Sequence, residues 1–229
     1  MAYALFSPTT CTHSGFKSMG TISRMYNQDT TDSGCAMEVG GSNTGTINLT
    51  GLKQVNGFNG LTPTTMPNGA VVNNIVVRIV GYTTALKHPT CSISAKSGNT
   101  TLATASKSSW GSITDNTHLD ASATIDISNG YGIDWVQNLT LQFTEKGNYS
   151  LNTSTSIMSV QEIYLFVYWE IPTHTINFKN QDGSSVKSMQ LEHGKTLGTL
   201  PVVSRDGYTF MGWLPCAPAK KTDGSVLDS

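Results

Sequence analysis

Charge is what this sequence has least of. Of its 229 residues 13% are Asp, Glu, Lys or Arg, against roughly 25% in an ordinary soluble domain, and the formal net charge is −1. No basic stripe exists to neutralise phosphates, which argues against nucleic acid as a partner and against an anionic membrane surface. Long apolar runs are missing as well, and none approaches the length that spans a bilayer. The opening Met1-Ala2-Tyr3-Ala4-Leu5-Phe6-Ser7-Pro8 lacks both the basic segment and the long apolar core of a secretion signal. The four cysteines, Cys11, Cys35, Cys91 and Cys216, show no CxxC pairing; without an export signal they are read as reduced thiols. Five Asn-x-Ser/Thr sites, at Asn48, Asn99, Asn138, Asn148 and Asn152, are what so Ser/Thr/Asn-rich a chain produces by chance, and no glycan is assigned to them.

Reactive constellations are equally scarce. His13, His88, His118, His174 and His193 are dispersed without HxH, HxxxH or HExxH spacing, whereas a zinc site needs three or four converging ligands. Asp115, Asp120, Asp126 and Asp134 read as residues between strands, in Asx turns, and no DxDxDG calcium loop occurs. There is no Ser in a GxSxG turn and no Cys with a paired His, and glutamate is limited to Glu38, Glu145, Glu162, Glu170 and Glu192. Asn129-Gly130-Tyr131-Gly132 is Gly-rich but lacks the strand–loop–helix setting of a nucleotide loop. No catalytic residue, cofactor-binding residue or metal ligand is therefore assigned, and the protein is read as a non-enzyme.

What is present is alternation. Val71–Val80, entered through Pro67-Asn68-Gly69-Ala70, is dense in β-branched residues and reads as a central strand. Ile157–Trp169 is its counterpart: Ile163, Leu165, Val167 and Trp169 share one parity, and Tyr164, Phe166 and Tyr168 the other. A strand apolar on both faces is covered on both sides, or on one side by another molecule. These two strands are expected side by side. Two-residue periods place Ile47 and Leu49 inward in 46–52, Cys91, Ile93 and Ala95 inward in 91–96, and Leu139, Leu141 and Phe143 inward in 139–144. The same reading puts Ala121, Ala123, Ile125 and Ile127 inward in 119–127, and Ala36–Val39 is a further candidate. No stretch up to residue 172 carries an extended helical period. Many strands at short spacing imply an all-β fold, an antiparallel β-sandwich of jelly-roll-like form. Residues 1–20 read as an N-terminal arm or first edge strand, 21–172 as the sandwich, and 173–229 as a small β module beyond Pro172. Trp110, Trp135 and Trp169, with Tyr131 and Tyr149, are candidates for a sugar-stacking platform, although such residues are more often packing anchors. Tyr164, Phe166 and Tyr168 are candidates for an interface or glycan contact. Tyr208, Phe210 and Trp213 read as the core of the small module.

Two resemblances follow from these residues. The segment Ile176-Asn177-Phe178, Asp182-Gly183, His193-Gly194-Lys195, Leu200-Pro201 and Gly207-Tyr208-Thr209-Phe210-Met211-Gly212-Trp213 resembles the Listeria–Bacteroides repeat, a small β-grasp-like module of surface proteins. That pattern continues past Gly-Trp into a further strand absent here, so the module is expected to be a truncated product or to be completed by another segment. Pro67-Asn68-Gly69-Ala70, Val72–Ile79 and Gln161–Trp169 resemble a β-sandwich pattern of bacteriophage structural proteins. Together they imply a non-enzymatic virion protein, made in the host cytoplasm. The expected role is an accessory capsid component, such as a decoration or head-fibre protein, or else a tail or baseplate component. Its implied partners are other virion proteins and further copies of itself, with apolar sheet faces as the docking surfaces. The alternative is a carbohydrate-binding adhesin module that recognises host glycans.

Overall fold

A computed structural model describes residues 2–27, 34–57, 60–83, 89–108, 117–147 and 155–214. In chain order the elements are β1 (Tyr3–Ser7), β2 (Thr10–Ser14), β3 (Ser18–Met19), β4 (Cys35–Gly40), β5 (Thr44–Thr50), β6 (Lys53–Val55), β7 (Val71–Thr83), β8 (Thr90–Ser97), β9 (Thr100–Lys107), β10 (Thr117–Thr124), the one-turn helix α1 (Ile133–Gln137), β11 (Thr140–Lys146), β12 (Thr155–Glu170), β13 (Thr173–Lys179) and β14 (Ser185–Glu192). The chain divides into two compact units, Met1–Pro172 and Thr173–Ser229. Among the described residues no helix is long and apolar enough to cross a membrane.

The first unit is two antiparallel sheets face to face. One runs β10-β7-β12-β1-β6, with β4 also attached to β12 and β3 to β4; the other runs β2-β5-β11-β8-β9. The pairs β4–β12, β5–β11, β7–β10 and β8–β9 are all antiparallel. That nesting of consecutive strands into early–late partners is the double Greek key of a jelly roll. The all-β sandwich expected from the periodicity is therefore the observed fold. Val71–Thr83 and Thr155–Glu170 lie side by side along almost their whole length.

The period-two residues explain the core. Ile75, Val77, Ile79, Ile163, Leu165 and Val167 project from the first sheet and meet Ile47, Leu49, Ile93, Ala95, Leu141 and Phe143 from the second, all fully buried. Each large aliphatic or aromatic side chain so buried contributes about 1.5–3 kcal/mol.

Three local expectations need correction. Residues 1–20 hold no free arm at their start: β1 lies inside the sheet between β12 and β6, with Ala4, Leu5 and Phe6 fully buried. Its short apolar run carries too few residues to show a period, and only the distant β12 supplies its partner. Ile127 is not inward but 46% exposed. The Asp126 carboxylate accepts a hydrogen bond from Ser128 N–H at 2.9 Å and opens a 3-10 turn over Ile127–Asn129, so alternation ends after the buried Ile125. Asp120 and Asp134 do not lie between elements, since they sit within β10 and α1; Asp115 lies outside the described residues.

The second unit is the β13–β14 hairpin and the extended segment after it. Asp182 accepts from Ser184 N–H at 2.9 Å, and Gly183 takes φ 83° in the turn. Trp213 meets Phe178 and Phe210 edge-on at 5.0 and 5.5 Å and donates its indole N–H to the Pro201 carbonyl at 2.7 Å. Trp213 thus packs on buried Phe178 as part of the expected small core, whereas Phe210, 37% exposed, only borders it and Tyr208 does not join it. Tyr208 is 69% exposed, because the Arg205–Tyr208 turn carries its ring outward under the Arg205 guanidinium.

Candidate binding face

The outer face of the first sheet is where alternation leaves side chains that the core does not use. Strand register aligns them in rows across β6, β1, β12, β7 and β10. Tyr3, Tyr168, Asn74 and Thr124 form one row. Val55, Leu5, Phe166, Val76 and Ser122 form the next. Tyr164, Arg78 and Asp120 follow, and then Glu162, Val80 and His118. Chemistry thus grades across the face from neutral polar and phenolic, through apolar, to charged.

Two members anchor it. Leu5, Tyr164 and Phe166 are buried and form a second apolar cluster, against which Tyr3, Val55, Leu61, Val76, Val80 and Tyr168 pack half-buried. Tyr3 meets Phe166 edge-on at 5.5 Å and Tyr168 at 6.0 Å, while Tyr164 meets Phe166 at 5.3 Å. Such pairs contribute about 0.5–1.5 kcal/mol each beyond their buried area. The second anchor is Arg78. Its Nε donates to Asp120 Oδ1 at 2.7 Å and its Nη2 to Oδ2 at 2.6 Å, the bidentate fork that fixes a guanidinium plane. The guanidinium also lies 5.1 Å from the Phe166 ring centroid, a cation–π contact. The hydrogen bond to Asp120 is the main reason Arg78 holds its proton even more firmly than usual. Burial pushes the Tyr164 phenol up, with Arg78 opposing that shift.

The face is not sealed. The Arg78 and Asp120 side chains are 26% and 33% exposed, and Tyr3, Asn74, Val76, Val80 and Tyr168 are half-buried. It can therefore offer ring surface from two tyrosines at one end and, across the Phe166–Val76 row, a rigid set of donors and acceptors. Among the described residues no group of three or more His, Cys, Asp and Glu gathers as a metal centre.

The other candidates lie elsewhere. Tyr131 and Trp135 stack at 4.4 Å with planes 3° apart, and both pack against the main core. The Tyr131 carbonyl accepts from Val72 N–H at 2.8 Å, which ties this pair to the start of β7 as a cap on that end of the sandwich. Trp110 and Tyr149 lie outside the described residues. Tyr3, Asn74 and Arg78 went unnoticed in the sequence, and Asp120 was read only as a turn residue between strands. Arg78 alone left a signal, as the single charge within the apolar run Val71–Val80.

Residues 174–221 match the family model of the Listeria-Bacteroides repeat domain, in keeping with the resemblance read from the turn and Gly-Trp motifs. A relative from Evansella cellulosilytica, named "Putative membrane protein", is 29% identical over 79 residues, 34% of this chain; the match spans 11% of that protein's length. Among solved structures, TmCBM61 in complex with β-1,4-galactotriose is similar at a TM-score of 0.36 and 10% identity, over 71% of this chain and 91% of that one. That likeness is too distant to carry an argument. Nothing in these comparisons indicates a bacteriophage origin.

Proposed function

We propose that this chain is a non-enzymatic attachment protein whose jelly-roll unit holds a neutral saccharide on the outer face of its first sheet. The carrying observation is that half-buried Tyr3 and Tyr168, in one row with Asn74, share a face with the fixed Arg78–Asp120 pair two rows along, across the Phe166–Val76 row. Phenolic rings cover the C–H faces of a sugar, while preoriented donors and acceptors read its hydroxyls, the mixture of apolar lining and few placed polar groups that ligand sites use. Low overall charge suits an uncharged ligand. The absence of an assigned general acid, base or nucleophile is consistent with binding without turnover, and the Listeria-Bacteroides repeat match supports placement at an outer surface.

A second reading is favoured by the buried Leu5–Tyr164–Phe166 cluster on the same face. Aromatic residues and Arg are enriched at protein interfaces, and a virion component, of capsid or tail, would dock there or pair with another copy. A panel of immobilised neutral and acidic glycans separates the two readings. The first expects retention on neutral glycans, abolished by a Tyr3→Ala/Tyr168→Ala double variant that remains folded. Absence of glycan retention, together with self-association or capsid binding lost in that same variant, would establish the second.

A further inference from the structure

The histidines, dispersed in sequence, do not all stay apart. In the β13–β14 hairpin His174 is opposite Leu191, which makes His193 its diagonal neighbour on the same face. The two exposed imidazoles have centroids 5.7 Å apart and planes inclined at 55°. The turn in which Lys195 N–H donates to the Glu192 carbonyl at 3.1 Å positions the backbone around His193. A metal ion bound by an imidazole nitrogen at about 2.0–2.1 Å lies roughly 3 Å from the ring centroid. Two rings on one ion are then about 5 Å apart at a tetrahedral angle and about 6 Å apart in line. The observed separation of 5.7 Å falls between these limits.

We propose that His174 and His193 form a two-imidazole site for a divalent transition-metal ion, of the class of nickel or copper(II), with water completing the coordination shell. Imidazole suits these ions over calcium or magnesium. The pair sits at the open end of the hairpin, opposite the Asp182-Gly183 turn. A two-stranded hairpin is marginal by itself, and an ion that binds only the folded hairpin stabilises it by mass action. The site therefore acts as a clip on the second unit.

The test is calorimetric titration of Ni(II) into the full chain without an affinity tag, at neutral pH and then after acidification. One ion per chain is expected, released on acidification because the ligands must be neutral. H174Q and H193Q should each abolish binding, with near-ultraviolet circular dichroism unchanged. H13Q and H118Q should leave it unaltered. In the wild-type chain, Ni(II) should broaden or shift the backbone amide signals of β13 and β14. Binding that survives in both H174Q and H193Q, binding lost in H13Q or H118Q instead, or no saturable binding at millimolar Ni(II) would each overturn the site.

Discussion

Arg78 and Glu145 carry charge-bearing groups into a sandwich that has little charge to place, and they do so in opposite ways. Arg78 keeps its charge by donating to Asp120 and facing Phe166. A double-mutant cycle of Arg78→Met and Asp120→Asn, read by urea unfolding, should give a coupling of about 1–2 kcal/mol, as expected for a bidentate but partly solvated pair. Glu145 follows Leu141 and Phe143 inward and is fully buried, with neither carboxylate oxygen hydrogen-bonded. Its neighbourhood includes the Cys91 thiol, itself 3.1 Å from the Met158 sulfur. Burial pushes its carboxyl up to about 8, so the folded chain keeps a proton that the unfolded chain releases. The stability held by that proton is fully present below the ordinary carboxylate range and declines as pH rises to about 8, after which this group adds no slope. Glu145→Gln should remove the decline, so its stability relative to wild type should grow with pH by a few kcal/mol, on the order set by linkage. Urea midpoints between acid and mildly alkaline pH check this. The period of 139–144, extended by one residue, already pointed Glu145 inward, but a carboxyl in that position contradicts its usual preference for water, and only the coordinates decide between them.

At the level of elements, β12 organises the first sheet. It pairs with β7 on one edge and with β4 and β1 in succession on the other. Its register shifts between Val160 and Glu162 and between Tyr168 and Trp169, which places Gln161 at a bulge, a local increase in strand twist. Next to the first shift, a Cβ on Gly81 would lie 2.5 Å from the Ser159 carbonyl oxygen and 3.1 Å from the Met158 methyl. Gly81→Val should therefore destabilise the first unit by about 2 kcal/mol or more through overpacking, measured by thermal or urea unfolding; an unchanged midpoint would mean that the two strands can separate without penalty. The strands with clean alternation, β5, β8 and β11, were readable because each has one dry face and one wet face. β12 was readable as a strand because both parities are apolar, and that same feature announced the outer cluster. β1 was readable only as an arm or an edge strand, because four apolar residues near a terminus acquire an interior place only through pairing with residues some 160 positions away.

For the whole molecule, the sandwich class followed from the spacing of its strands, whereas the binding face did not. Tyr3, Asn74, Arg78, Asp120 and Tyr168 come from four strands scattered between residues 3 and 168 and share one face only through antiparallel register. Trp135 and Tyr131, the more conspicuous aromatics, stack on each other and pack against the main core away from that face. The central claim is that this face, and not the capped end, receives a neutral saccharide. The most direct measurement is a backbone amide NMR titration of the full chain with a neutral oligosaccharide drawn from those it retains on the glycan panel. Saturable shifts confined to Tyr3, Asn74, Val76, Arg78, Asp120, Tyr168 and their strand neighbours are the predicted result. Shifts centred on Tyr131 and Trp135, or an unperturbed outer face at saturation, would contradict it.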